Sequence, residues 1–203
     1  MSVKREVPID RAARFLFPFN NSLVTCVDTE GKPNIIGIGL FGKSWGLPCE
    51  DNDPCLGVYW IMIHPSRYSH DLIDQTNEFV INIPTVDVVE EIWYCGTHTG
   101  RKVDKFKETK LTATPAKHVK PPLIEECPIN IECRVVEKMK PHHSNYTFFF
   151  GKAVAIHVKE GVWDGATINM DECPMPFAVL SHKFSEGRFI APGKTVFAAG
   201  KKV

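Results

Sequence analysis

The sequence predicts a mainly β protein: an antiparallel barrel, closed or half-closed, with short helices packed at its ends. Three observations predict it. Short alternating or continuous apolar runs, rich in β-branched and aromatic residues, dominate the chain. The segments with helical spacing are short. Strand and helix do not follow the βαβαβ rhythm of a parallel sheet, and no internal repeat is visible. At 203 residues the chain suits one domain, residues 1–203, with a core at about 20–160 and an irregular C-terminal extension.

The elements follow in order. Leu23–Asp28 alternates and meets PNIIGIGL across Thr29–Lys32, where Gly31 supplies the turn, so the two segments read as a hairpin. A loop rich in Gly, Pro and Asp runs from Gly46 to Pro54. The nearly continuous apolar run Cys55–Ile63 is a buried strand, too short to span a membrane. His64–Thr76 turns helical, with Ser66 and Ser69 as N-cap candidates and Leu72 and Ile73 facing inward. Phe79–Ile83 is a strand stopped by Pro84. Val86–Tyr94 has helical spacing that Gly96–Gly100 breaks, and Val103–Lys107 forms a helical turn. After the Pro-rich stretch Pro115–Pro122, Ile129–Glu137 alternates and Tyr146–Val158 is a long strand. The last forty residues, to Val203, carry weak signals and read as irregular, with one short helix.

Composition excludes several classes of function. Basic and acidic residues balance at 24 each, which offers no attraction for nucleic acid or anionic lipid. The polar start MSVKREVPID lacks the apolar segment of a signal peptide, so a cytoplasmic location is expected. Seven cysteines at irregular spacing argue against a disulfide framework and for a reducing compartment. Cys49 and Cys55 flank EDNDP, but no second close pair completes four metal ligands, so no metal is expected. His142-His143 reads as a solvated turn.

GIGLFG, Gly37 to Gly42, satisfies G-x-G-x-x-G. A dinucleotide turn needs a helix opening on the third glycine. Here KSWGLPCEDNDP follows, and Gly46 and Pro48 cannot propagate one. The glycines are read instead as letting a strand end bend and a flat ligand approach the backbone. PSRYSHDLI has what GIGLFG lacks. Ser66 and Ser69 sit at a helix start, where unpaired N–H groups favour an anion, and Arg67 adds a fork suited to phosphate. An ordinary helix cap with a solvated Arg67 is the alternative that these residues leave open.

The succession PNIIGIGL, HPSRYSHDLI, EFVINIP, YCGTHTGRKVDKF, PLIEECPINIECRVVE and TFFFGKAVAIHV resembles the flavin reductase-like, FMN-binding split-barrel family, most of all its flavoredoxin-type branch. The likeness runs from about Leu23 to Val158. It implies a Greek-key split β-barrel with short flanking helices, a homodimer, and FMN bound noncovalently near the dimer interface. Ser66, Arg67 and Ser69 would hold the phosphate or the nearby ribityl chain. The end of the strand Ile61-Met62-Ile63 would pass along the isoalloxazine edge. Lys105 would bring positive charge to the flavin, where a cation favours the reduced ring; a surface lysine is the alternative that the residues alone leave open. Asn34 and the stretch Leu40, Phe41, Gly42 and Ser44 occupy the flavin-contacting strand and loop, although GLFGKSWG and the long loop after it depart from the family pattern. Tyr146 stands where relatives often carry His, and Tyr cannot shuttle protons near neutral pH as His can.

The resemblance therefore implies an FMN-dependent oxidoreductase taking electrons from NAD(P)H or a redox protein, with nicotinamide stacking directly on the flavin. No nucleophile elbow or paired-carboxylate signature competes with cofactor chemistry. Two other functions fit the same residues: a protein-to-protein electron carrier without nicotinamide turnover, and a non-redox module holding flavin or haem. Cys95 is either a small buried residue or a thiol close to the flavin.

Overall fold

A computed structural model of the chain describes residues 19–44, 57–179 and 188–191. The strands are β1 (Phe19–Asn20), β2 (Ser22–Val27), β3 (Pro33–Ile38), β4 (Phe41–Lys43), β5 (Val58–Ile63), β6 (Glu78–Ile83), β7 (Ala113–Thr114), β8 (Leu123–Ile124), β9 (Ile129–Met139), β10 (Thr147–Val158), β11 (Phe177–Val179) and β12 (Arg188–Ile190). The helices are α1 (Tyr68–Thr76), α2 (Val89–Thr97, entered through a 3₁₀ turn) and α3 (Lys105–Thr109).

Seven strands form one antiparallel sheet in the order β3-β2-β6-β9-β10-β5-β4. Its two edge strands, β3 and β4, are joined by Gly39 and Leu40 alone. Edges that close in sequence cannot lie at opposite ends of a flat sheet, so the sheet curls into a half-barrel. The stretch β6-β9-β10-β5 returns β5 beside β10 in Greek-key fashion.

Every residue of β2 is buried, because its two faces serve two cores. Val24 and Cys26 point into the barrel with Ile61, Phe79, Ile131 and Phe149. Leu23, with Ile35 from β3, points outward onto Ile92 and Cys95 of α2. Val162 and Cys173 also pack into the barrel core, beyond the stretch where the core was expected.

Two expectations change, and a third lies outside the described residues. The glycine at position 96 was expected to end a helix, yet α2 runs through it. A Cβ on Gly37 would collide with the Ile92 carbonyl, and Gly96 faces the Gly37 carbonyl in turn. These two glycines let helix and strand backbones touch, which offsets their poor helix and strand propensity. The C-terminal stretch expected to be irregular with one helix instead contains, among the described residues, β11 and β12, which with β1 form a small sheet. The loop Gly46–Pro54, with Cys49 and Cys55, lies outside the described residues.

Candidate functional site

The geometry places the start of α1 beside Asn34 of β3, because Ser69 bonds Asn34. β5 pairs with β10 at Ile63↔Thr147, and the chain then turns through His64 to Arg67 into α1. The N-cap of α1 is Arg67, with extended φ and ψ of −82° and 136° and no side-chain hydrogen bond to the first turn. The expected serine caps have other partners. Ser66 Oγ lies 2.8 Å from His64 Nδ1, which also accepts from the Ser66 N–H. Ser69 is 2 % exposed and its Oγ accepts from Asn34 Nδ2 at 2.7 Å. Ser69 therefore braces α1 against β3 and leaves the front of the helix without a side-chain cap.

Asn34 is buried in β3, and its amide also approaches Cys26 Sγ at 3.8 Å. The loop after α2 closes over it: a Cβ on Gly100 would overlap Asn34 Oδ1. That explains the glycine in T-G-R.

Lys105 opens α3 and is 5 % exposed. Its ammonium donates to the Ile35 carbonyl on the edge strand and to the Cys95 carbonyl near the end of α2, both at 2.7 Å. One cation thus ties the sheet edge to a helix C-terminus, where orphan carbonyls and the dipole favour it. Burial pushes its pKa down to about 8, against the opposing pull of the Cys95 and Cys26 thiols, and nearby Arg67 lowers it further. No salt bridge joins Lys105 to a carboxylate among the described residues. The surface-lysine alternative does not survive.

The remaining residues line the β4–β5–β10 end. Leu40 accepts from the Met62 N–H and Ser44 donates to the Val58 carbonyl, both at 2.9 Å. Phe41 pairs with Ile61 and Gly42 with Trp60. Ile61 and Ile63 point into the core, whereas Met62 is half-buried on the opposite face. The flat group that lies against Gly42 is the chain's own Trp60 indole. Tyr146 is 37 % exposed, and its ring meets His64 edge-on at 5.4 Å. Cys95 is buried in the outer core with Leu23 and Ile35, and desolvation pushes its thiol up to about 11. His142 and His143 are exposed in a turn.

Sequence reasoning passed over His64, His70, Asp71 and Arg101. His70 carried a signal: it lies on the inward face of α1 beside Ile73, where a polar residue is out of place. Arg101 is placed by the loop after α2, and nothing local announces its ion pair with Asp71. A cleft of about 660 Å³, lined by residues including Asp87, Glu126, His157 and Glu172, contains none of the residues that sequence pointed to. Among the described residues no helix is long and apolar enough to cross a membrane.

A Greek-key half-barrel with a short helix opening off the end of its fifth strand is a split-barrel architecture. The chain belongs to the flavin reductase-like domain family, whose model matches residues 13–173. An uncharacterized protein of Archaeoglobus fulgidus is 35 % identical over 147 residues, covering 72 % of this chain and 75 % of its own. The flavoredoxin of Desulfovibrio vulgaris (Miyazaki F) superposes with a TM-score of 0.77 at 21 % identity, covering 98 % of each chain. An FMN-binding protein from Thermus thermophilus superposes with a TM-score of 0.72 at 18 % identity, covering 98 % of this chain and 99 % of that one.

Proposed function

We propose that this chain binds FMN noncovalently and is an oxidoreductase that passes electrons from NAD(P)H or a redox protein to an acceptor. The observation that carries this reading is the start of α1, whose N–H groups have no side-chain cap and which has Arg67 at its mouth and the buried cation of Lys105 nearby. Such a place fits a phosphate: N–H donors, a guanidinium fork and an ammonium act together on a dianion.

Ser66, Arg67 and the first turn of α1 receive the phosphate, while Ser69 and Asn34 hold that turn in place. Lys105 supplies positive potential from behind. Leu40 to Ser44, the backbone of Ile61 to Ile63, and Tyr146 flank the flavin ring. Bound FMN supplies the hydride and single-electron chemistry, so the protein's part is binding, orientation and electrostatics.

The chain acts as a homodimer. Trp60, Phe148, Phe150 and Met139 lie on the sheet face opposite the core, with Trp60 and Phe148 rings 5.6 Å apart and Met139 exposed. A second copy covers this apolar strip. The five free, buried cysteines among the described residues suit a reducing cytoplasm.

The test is the visible spectrum after excess FMN has been added and removed by desalting. A retained, shifted flavin spectrum supports the reading, and a protein that titrates with no flavin at any concentration ends it. Steady-state oxidation of NADH or NADPH then separates a reductase from a carrier that exchanges electrons only with proteins.

A further inference from the structure

Two polar links, Arg101–Asp71 and His70–Thr147, tie α1 to the loop after α2 and to β10. Arg101, from the loop after α2, stacks over the Tyr68 ring at 4.7 Å and ion-pairs with Asp71 of α1. Asp71 Oδ1 lies 3.6 Å from Nδ1 of His70, the residue before it. His70 Nε2 is hydrogen-bonded to Thr147 Oγ1, the first residue of β10, at 2.9 Å. The imidazole is buried and edge-on to Phe149 at 5.2 Å. Its Nδ1 has no hydrogen-bond partner.

A half-satisfied imidazole is a costly choice at this position. Leu72 and Ile73 on the same helix are core residues, and an apolar side chain beside them would avoid a bare buried nitrogen. The bond to Thr147 is what His70 provides in exchange. Thr147 is paired with Ile63, and Ile63 leads through His64–Arg67 into α1. The His70–Thr147 bond closes that path into a ring, so the first turn of α1 cannot swing away from the strand end. Tyr146, next to Thr147, rests on His64 inside the same ring.

We infer that His70 is a positioning residue: through Thr147 it fixes the distance between the Ser66–Ser69 turn and the β10 end that carries Tyr146. The inference rests on the reading that this turn receives the phosphate of FMN. A ligand held at both ends responds to that distance, and one held at the ring end alone does not.

The test compares FMN with riboflavin, which lacks the phosphate, using flavin-fluorescence titrations of wild type, H70N, H70Q, T147V and H70N/T147V. Asn cannot reach Thr147, whereas Gln places an amide about where Nε2 stands. H70N and T147V are each expected to weaken FMN by about tenfold, the scale of one buried hydrogen bond. The double variant should lose no more than either single one, and H70Q should stay within about threefold of wild type. Riboflavin affinity should barely change. Equal losses for both flavins would reduce His70 to a structural residue, and FMN binding by H70N at wild-type strength would overturn the inference alone. Wild type that binds no FMN would overturn the phosphate reading and this inference with it. T147V is nearly isosteric, so it carries the test if H70N does not fold.

Discussion

Gly42 lies beneath the indole of Trp60: a Cβ at Gly42 would fall 2.7 Å from Trp60 Cζ2 and 2.9 Å from Cε2. The two residues are directly paired across β4 and β5, so the strand backbones cannot move apart without breaking the ladder and the indole itself must give way. Gly42→Ala should therefore cost about 1–3 kcal/mol through overpacking, read as a shift in the urea midpoint. In a Trp60→Leu background the same substitution should cost far less. Equal costs in both backgrounds would show that the indole is not the obstacle.

Lys105 makes a pH prediction with a definite sign. Its ammonium has a pKa of about 8 in the folded chain against an ordinary 10.5. Between those values the unfolded chain holds more protons, so this group's contribution to stability rises with pH. The neutral amine still has two N–H groups for the Ile35 and Cys95 carbonyls. Buried thiols act the other way in this range, because burial raises their values, as at Cys26 and Cys95. The difference between wild type and Lys105→Met isolates the lysine: it should move in favour of wild type from pH 8 to pH 10. A flat difference would mean that the ammonium is not desolvated.

Glu132 is fully buried and accepts from the N–H groups of Lys117, His118 and Val119 and from His157 Nε2. Burial alone would raise its pKa, but the backbone donors and His157 outweigh it and hold the carboxyl below its ordinary value. That stability is present above the ordinary carboxylate range and is lost as pH falls through the depressed folded value. Glu132→Gln should cost about 2–4 kcal/mol near neutrality by leaving donors unmatched, with a smaller gap in acid. Chemical denaturation at pH 7 and pH 4 measures both.

Arg67 is exposed at the mouth of α1. Arg67→Ala should leave the melting temperature within a degree or two, since exposed side chains contribute little. It should weaken FMN by about tenfold or more and riboflavin hardly at all, the signature of a lost charge-assisted phosphate contact. Calorimetric titration with both flavins decides this, and equal affinities for FMN in wild type and variant would remove Arg67 from the site.

The strands were legible because burial imposes a period. Leu23–Asp28, Phe79–Ile83, Ile129–Glu137 and Tyr146–Val158 all correspond to observed strands within a few residues. Helix α2 was misjudged at Gly96 because the reason for that glycine lies across space, on Gly37. β11 and β12 were missed because they are three residues each, and β11 pairs with β1 from the far end of the chain while β12 pairs with β11. The serines of SRYS were recognised as a helix start, but their partners, His64 and Asn34, could not be assigned from spacing.

By itself, the sequence determined the β-rich class, the failure of GIGLFG as a dinucleotide turn, the absence of a parallel βαβ rhythm and the segments that match the family. Those properties are local: periodicity, propensity and the residues that follow a glycine are all written within a dozen positions. Tertiary structure alone decided that Lys105 is an internal strut, that Ser69 faces Asn34, and that His70 reaches Thr147 across 77 residues. Each is a contact between segments far apart in the chain, and side-chain direction at such a contact follows from how the half-barrel curls. Sheet closure sets that curl, and no single segment encodes it.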